Sequence, residues 1–122
     1  MPKLLPWEQL QEDVRLAFES LGFGPAKVSR GSGAVKGNGD VQNEIFMAEC
    51  KLRTTEGFTI HQDIVNKIRK EAALVGKIPL LVNRNKNKQT LVTLTLEDFI
   101  RVAGPPKESY GRDNSSGSDL YH

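Results

Sequence analysis

Apolar residues recur at helical spacing near the start of the chain. Leu10, Val14, Ala17, Phe18 and Leu21 form one stripe, which predicts a helix over residues 7–21. Pro6 suits the first position of that helix, and Gly22 ends it. Gly24 and Pro25 then turn the chain into a short strand over residues 26–30. A glycine-rich loop follows over residues 31–39, and its four glycines allow backbone N–H groups to approach an anion closely. A flexible hairpin connection explains the same glycines equally well. The spacing next switches to strands over residues 38–43 and 45–52, with the turn placed between Asn43 and Glu44.

A second helix is predicted over residues 60–75, with Ile60, Ile64, Ile68, Ala72 and Val75 as its buried stripe. Thr59 and Gln62 have the spacing of a Thr-x-x-Gln capping box, and Gly76 terminates the helix. Residues 78–82 read as a buried strand, 83–88 as a turn, 90–96 as an alternating strand and 96–102 as a short last helix. From Gly104 onward, Pro, Ser, Gly and scattered charge predict a disordered tail. The order of elements predicts one α/β domain over residues 1–103, a central mixed β-sheet flanked by α-helices, with residues 104–122 as the tail.

With 122 residues the chain suits a single core, near the size at which oligomerisation helps. Net charge is only +2, but it is unevenly spread. Residues 27–88 carry 12 Lys/Arg against 6 Asp/Glu, and the remaining segments 5 against 9. That surplus suits a polyanionic partner, because phosphate contacts supply most sequence-independent nucleic-acid affinity. Lys67, Arg69 and Lys70 are expected to face solvent on the second helix, where DNA contact is one use for them. A lone cysteine excludes an internal disulfide framework, and no Cys/His spacing suggests zinc. The start Met1-Pro-Lys-Leu-Leu-Pro-Trp7 lacks the apolar run of a signal peptide, and no segment reaches the roughly 18 apolar residues of a membrane span. The expected location is the cytoplasm, or that of a host cell if the chain is viral.

The segment from Asp40 to Lys51 carries the chemistry. Side chains alternate along a strand, so Glu49 and Lys51 emerge on one face, while Cys50 points to the other and reads as core. An acid and a base side by side on a strand as apolar as Ile45-Phe-Met-Ala48 cost stability unless a site needs them. With the turn at 43/44, Asp40 lies opposite Met47 and diagonal to Glu49, a separation of about 7–8 Å. Two hard oxygen donors suit magnesium, or manganese, and an adjacent lysine can hold a hydroxide or an anionic oxygen. The chemistry implied is metal-assisted hydrolysis of a phosphodiester.

Asp40 followed by Glu49-Cys50-Lys51 resembles the PD-(D/E)XK nuclease core, with Gly39 where many members carry proline. Together with Arg30 and the Gly31-Ser32-Gly33 loop ahead of it, the pattern resembles the archaeal-type (Hjc-like) Holliday junction resolvases and their phage relatives, from about Trp7 to Val82. The resemblance implies a restriction-endonuclease-like fold and a homodimer that uses magnesium to cut branched double-stranded DNA. It implies Asp40, Glu49 and the Cys50 carbonyl as metal ligands, with Lys51 orienting the attacking water or stabilising charge. Arg30, Ser32, Lys36 and Arg53 become expected DNA contacts. Relatives usually add a glutamate from the first helix. Here Gln11 stands where one gap-free alignment places it, the candidates are Glu8, Glu12 and Asp13, and Glu8 is the choice. Another nuclease of the same superfamily (flap, repair or restriction-like) and a nonenzymatic nucleic-acid-binding domain are the alternatives. The dimer surface is expected to use Leu91, Leu94, Phe99 and Ile100.

Overall fold

The structure, a computed structural model, describes residues 3–29 and 40–104. Eight elements follow one another: α1 (Pro6–Ser20), β1 (Lys27–Val28), β2 (Val41–Gln42), β3 (Phe46–Leu52), α2 (Gln62–Leu74), β4 (Ile78–Arg84), β5 (Thr90–Thr93) and α3 (Leu96–Ala103). The strands form one mixed sheet in the order β1-β2-β3-β4-β5. The β3/β4 pair is parallel and the other three pairs are antiparallel. Crossing from β3 to β4 through α2 makes the parallel pair possible, since parallel strands need a connection long enough to return along the sheet. The α/β class and the mixed sheet match the expectation from sequence. The expected tail beyond Gly104 and the whole glycine-rich loop over residues 31–39 lie outside the described residues.

Alternation along β3 divides the core into two layers. Phe46, Ala48 and Cys50 face α1, where Leu10, Val14 and Phe18 pack against them together with Ile78, Leu80 and Val82 of β4. The intervening Met47 packs on the other face, against Ile68 and Ala72 of α2. Glu49 and Lys51 share the Met47 side of the strand. On α1, Gln11 is buried and Ala17 and Leu21 are exposed, so the buried stripe is Leu10, Gln11, Val14 and Phe18.

Several local expectations shift by a few residues, each for a visible reason. Met47 pairs with Gln42 instead of Asp40, and Ala48 pairs with Val41. The turn is centred one residue later because the Asn43 side chain organises it: its Oδ1 accepts from the Ile45 and Phe46 N–H groups at 2.9 and 2.7 Å. Asp40 thereby moves towards Glu49, and its own N–H donates to the Ala48 carbonyl at 2.8 Å. The Thr59/Gln62 capping box does not form. Arg53 Nη2 donates to the Thr59 carbonyl at 2.7 Å, which keeps Thr59 in the loop, and α2 starts at Gln62 after His61. Ile60 and Val75 fall outside the helix and stay half exposed. Strand β4 runs on through Asn83 and Arg84, residues assigned to the turn from sequence. Asn83 is tolerated there because its Oδ1 accepts from Arg53 Nε at 3.0 Å. The turn that follows is closed by Asn85, whose Oδ1 accepts from the Asn87 and Gln89 N–H groups. Strand β5 stops at Thr93, because Thr95 leaves the sheet to cap α3 through the Asp98 N–H at 3.1 Å. At the amino end of the sheet, β1 is confined to Lys27–Val28.

Candidate active site

The carboxyl end of β3 and the entry to β2 bring Asp40, Glu49 and Lys51 together. Glu49 is only 8% exposed, on the face covered by α2. A buried carboxylate needs counter-charge, and two lysines supply it. Lys51 Nζ lies 3.3 Å from Glu49 Oε2, and Lys67 Nζ, reaching across from α2, lies 3.4 Å from Oε1. Lys67 also contacts Glu71 Oε2 at 3.3 Å, one helical turn further along.

Asp40 is fixed from the other side. Its Oδ2 accepts from the Cys50 N–H at 2.7 Å, in place of an ordinary ladder bond between β2 and β3. Burial, above all, raises its carboxyl above the usual carboxylate range, and the Glu49 charge adds to the rise. The Cys50 N–H and the two lysines pull the other way. The two carboxylates therefore repel one another in a partly dry setting, which is the electrostatic condition a divalent cation relieves. The donor set fits magnesium or manganese: hard carboxylate oxygens, with no soft ligand directed at them. Among the described residues, no three His, Cys, Asp or Glu side chains converge as a metal-binding group.

Cys50 packs its side chain into the α1 layer, and burial pushes its thiol well up, reinforced by Asp40 and Glu49. A thiol so hard to ionise is a poor nucleophile. The first-helix acids do not join the pair. Glu8 Oε1 accepts from the Leu5 N–H at 2.8 Å and serves as the helix cap. Glu12 is bound by Arg15, at 2.6 Å, and Asp13 by Arg84, at 3.0 Å. The helix carrying all three packs on the sheet face opposite Glu49.

Arg30, Ser32 and Lys36 lie outside the described residues. Arg53 is half-buried and bridges Asn83 to the Thr59 carbonyl, so two of its N–H groups fix the loop after β3. That loop is joined to the β4–β5 turn: the Arg53 N–H donates to the Arg84 carbonyl and the Lys86 N–H to the Thr55 carbonyl. Beside the joint opens a cleft of about 680 Å³ lined by Arg53, Arg84, Lys86 and Lys88 together with Gln9 and Asp13 of α1. Sequence reasoning placed Lys67 in solvent and passed over Glu71. Their i,i+4 spacing, one residue before Ile68 and one before Ala72 of the buried stripe, was the available signal.

No protein-family model and no curated protein matches the chain. Among solved structures it is similar to Archaeoglobus fulgidus Hjc, a Holliday junction resolvase from an archaeal hyperthermophile. The TM-score is 0.57 at 19% sequence identity, over 70% of this chain and 73% of that one. The two chains share a fold. In this chain, that fold places Glu49 and Lys51 on the central strand β3, with Asp40 beside them at the start of β2. Two acids able to hold a hard cation, with a lysine on one of them, can activate water and stabilise an anionic transition state.

Proposed function

We propose that this chain is a magnesium-dependent endonuclease that resolves four-way DNA junctions by paired nicks. The observation that carries the reading is the buried Glu49 with Asp40 and Lys51 on a fold shared with Hjc. Asp40, Glu49 and the Cys50 carbonyl would hold the metal. When bound, magnesium supplies Lewis-acid polarisation of the scissile phosphodiester. Lys51 orients the attacking water and offsets the negative charge that grows on the phosphate oxygens. The Asp40 carboxylate, held by the Cys50 N–H, keeps its remaining oxygen directed by the backbone rather than by a mobile side chain.

Lys86 and Lys88 line the cleft at the ends of β3 and β4 beside the Arg84–Asp13 pair, and would offer a phosphate backbone cations on a rigid support. Arg30, Ser32 and Lys36 are proposed to contact phosphates nearer the cut, and Arg53 to do so with the part of its guanidinium that the fold leaves free. The deciding experiment is a cleavage assay on junction, flap and linear duplex of equal sequence, with and without magnesium. Junctions are expected to be cut first and only with metal. Preferred cutting of flaps or duplex would move the chain to another nuclease function of the same fold, and metal-independent binding with no nicking would make it a binding domain.

Resolution takes two nicks related by an approximate twofold, which a symmetric homodimer supplies. The proposed surface is α3 with β5, where Leu96 and Phe99 are 73% and 52% exposed, and Leu91, Val92 and Val102 lie open nearby. Leu94, expected on this surface, instead packs against the core. Phe99→Asp is expected to lower the mass seen in sedimentation from dimer towards monomer at micromolar concentration, and to uncouple the paired nicks. A wild-type chain that is monomeric while cutting junctions fully would remove this part of the proposal. No described helix is long and apolar enough to cross a membrane.

A further inference from the structure

Lys67 has no part in the chemistry proposed above, yet it sits on the same carboxylate. Its ammonium is shared between two acids, at 3.4 Å from Glu49 and 3.3 Å from Glu71. Both distances exceed the 2.7–2.9 Å of a good charge-assisted hydrogen bond, so neither contact is fully made. Glu71 is itself incompletely served. Its Oε1 is buried without a hydrogen-bond partner, while its Oε2 faces Lys67. A buried unpaired carboxylate oxygen is costly and gains from any cation that moves closer. Lys67 therefore has somewhere to go. It can leave Glu49 and bind Glu71 more closely without ever being unpaired, and its side chain is 55% exposed, so little packing holds it in place.

Glu49 shows the other half of the relation. Buried as it is, it needs a cation whether or not metal is present. We infer that Lys67 is, beside Lys51, the exchangeable counter-cation of Glu49, standing in for the divalent metal in the metal-free protein and withdrawing to Glu71 when metal binds. Lys67 is thus a positioning residue that sets metal affinity through Glu49, and Glu71 acts only through Lys67. The inference rests on the reading of Asp40 and Glu49 as metal ligands.

The test is manganese binding to the full chain without DNA, followed by loss of the free Mn²⁺ signal in electron paramagnetic resonance. Lys67→Met removes a competing cation and is expected to tighten Mn²⁺ binding about fivefold, the scale of one charge contact at a half-exposed site. A structural lysine would weaken binding when lost, so the sign of the change is diagnostic. Lys67→Gln, which keeps a polar group without the charge, should tighten it likewise and gives a second reading should the methionine variant fold poorly. Glu71→Gln leaves Lys67 with Glu49 alone and is expected to weaken binding two- to threefold. In the Lys67→Met background the same Glu71→Gln change should have no further effect, because the pair forms one coupled unit. Unchanged or weaker Mn²⁺ binding in both Lys67 variants overturns the inference, as does an undiminished Glu71→Gln effect in the double variant. Wild-type protein that binds no Mn²⁺, or Asp40→Asn that binds it equally well, would instead overturn the metal-site reading beneath it.

Discussion

Asp40→Asn and Glu49→Gln are expected to lower the cleavage rate about 10³-fold or more while junction binding is kept or tightened. Each removes one of the two carboxylates proposed to hold the metal, and the lost electrostatic stabilisation acts in the transition state. Each also removes an anion from a surface that must receive phosphate, so ground-state binding gains where catalysis is lost. The structure makes Asp40→Asn the cleaner of the two. Asparagine can still accept the Cys50 N–H through its Oδ1, and burial already disfavours the charge on Asp40. Its melting temperature should therefore match or exceed that of the wild type. Glu49→Gln leaves Lys51 and Lys67 without their shared acid, but both reach solvent, so its stability cost should stay near 1 kcal/mol. Single-turnover cleavage and a gel-shift titration on the same junction measure the two effects separately. Asp40→Asn with full magnesium-dependent activity would place the active site elsewhere.

What the sequence made legible follows from periodicity. Leu10, Val14 and Phe18 marked the inner side of α1, and Ile68 and Ala72 that of α2, because each repeats at helical spacing. Alternation alone put Glu49 and Lys51 on one face and Cys50 on the other, as the 3.3 Å contact and the packing of Cys50 show. The misplacements came from side chains that replace backbone hydrogen bonds, which periodicity cannot register. Asn43 shifted the β2/β3 turn by a residue, and Arg53, by holding the Thr59 carbonyl, displaced the start of α2. Asn83 looked like a turn residue by composition and lies instead inside β4, buried with its Oδ1 accepting from Arg53 Nε, while Asn85 closes the turn as expected. Lys67 was read as solvent-facing, and over half of it is; that its tip meets Glu49 depends on how α2 lies across β3, a tertiary fact. Glu8 was chosen because, with Gln11, it resembles the Glu-x-x-Gln start of related nucleases, and in the structure it caps the helix start through the Leu5 N–H.

Those same contacts determine what Lys51 should show. Lys51→Ala is expected to depress the cleavage rate roughly 10²-fold or more, the usual effect of removing one electrostatic stabiliser. Metal binding should be kept or tightened, since the side-chain donors Asp40 and Glu49 remain and Glu49 loses one of its two competing cations. The fold should survive for two reasons visible in the structure. Lys51 is about a third exposed, at the polar end of β3, so few apolar contacts are lost. Glu49 also keeps Lys67 at 3.4 Å and is not left as an uncompensated buried charge. The prediction thus separates the two lysines on one carboxylate. Losing either lysine removes a cation from Glu49 and should raise metal affinity, and losing Lys51 should lower the rate as well. Rate, Mn²⁺ affinity and melting temperature measured together on Lys51→Ala decide the matter. A variant that melts well below wild type but cuts normally per folded molecule would make Lys51 a structural counter-charge and nothing more.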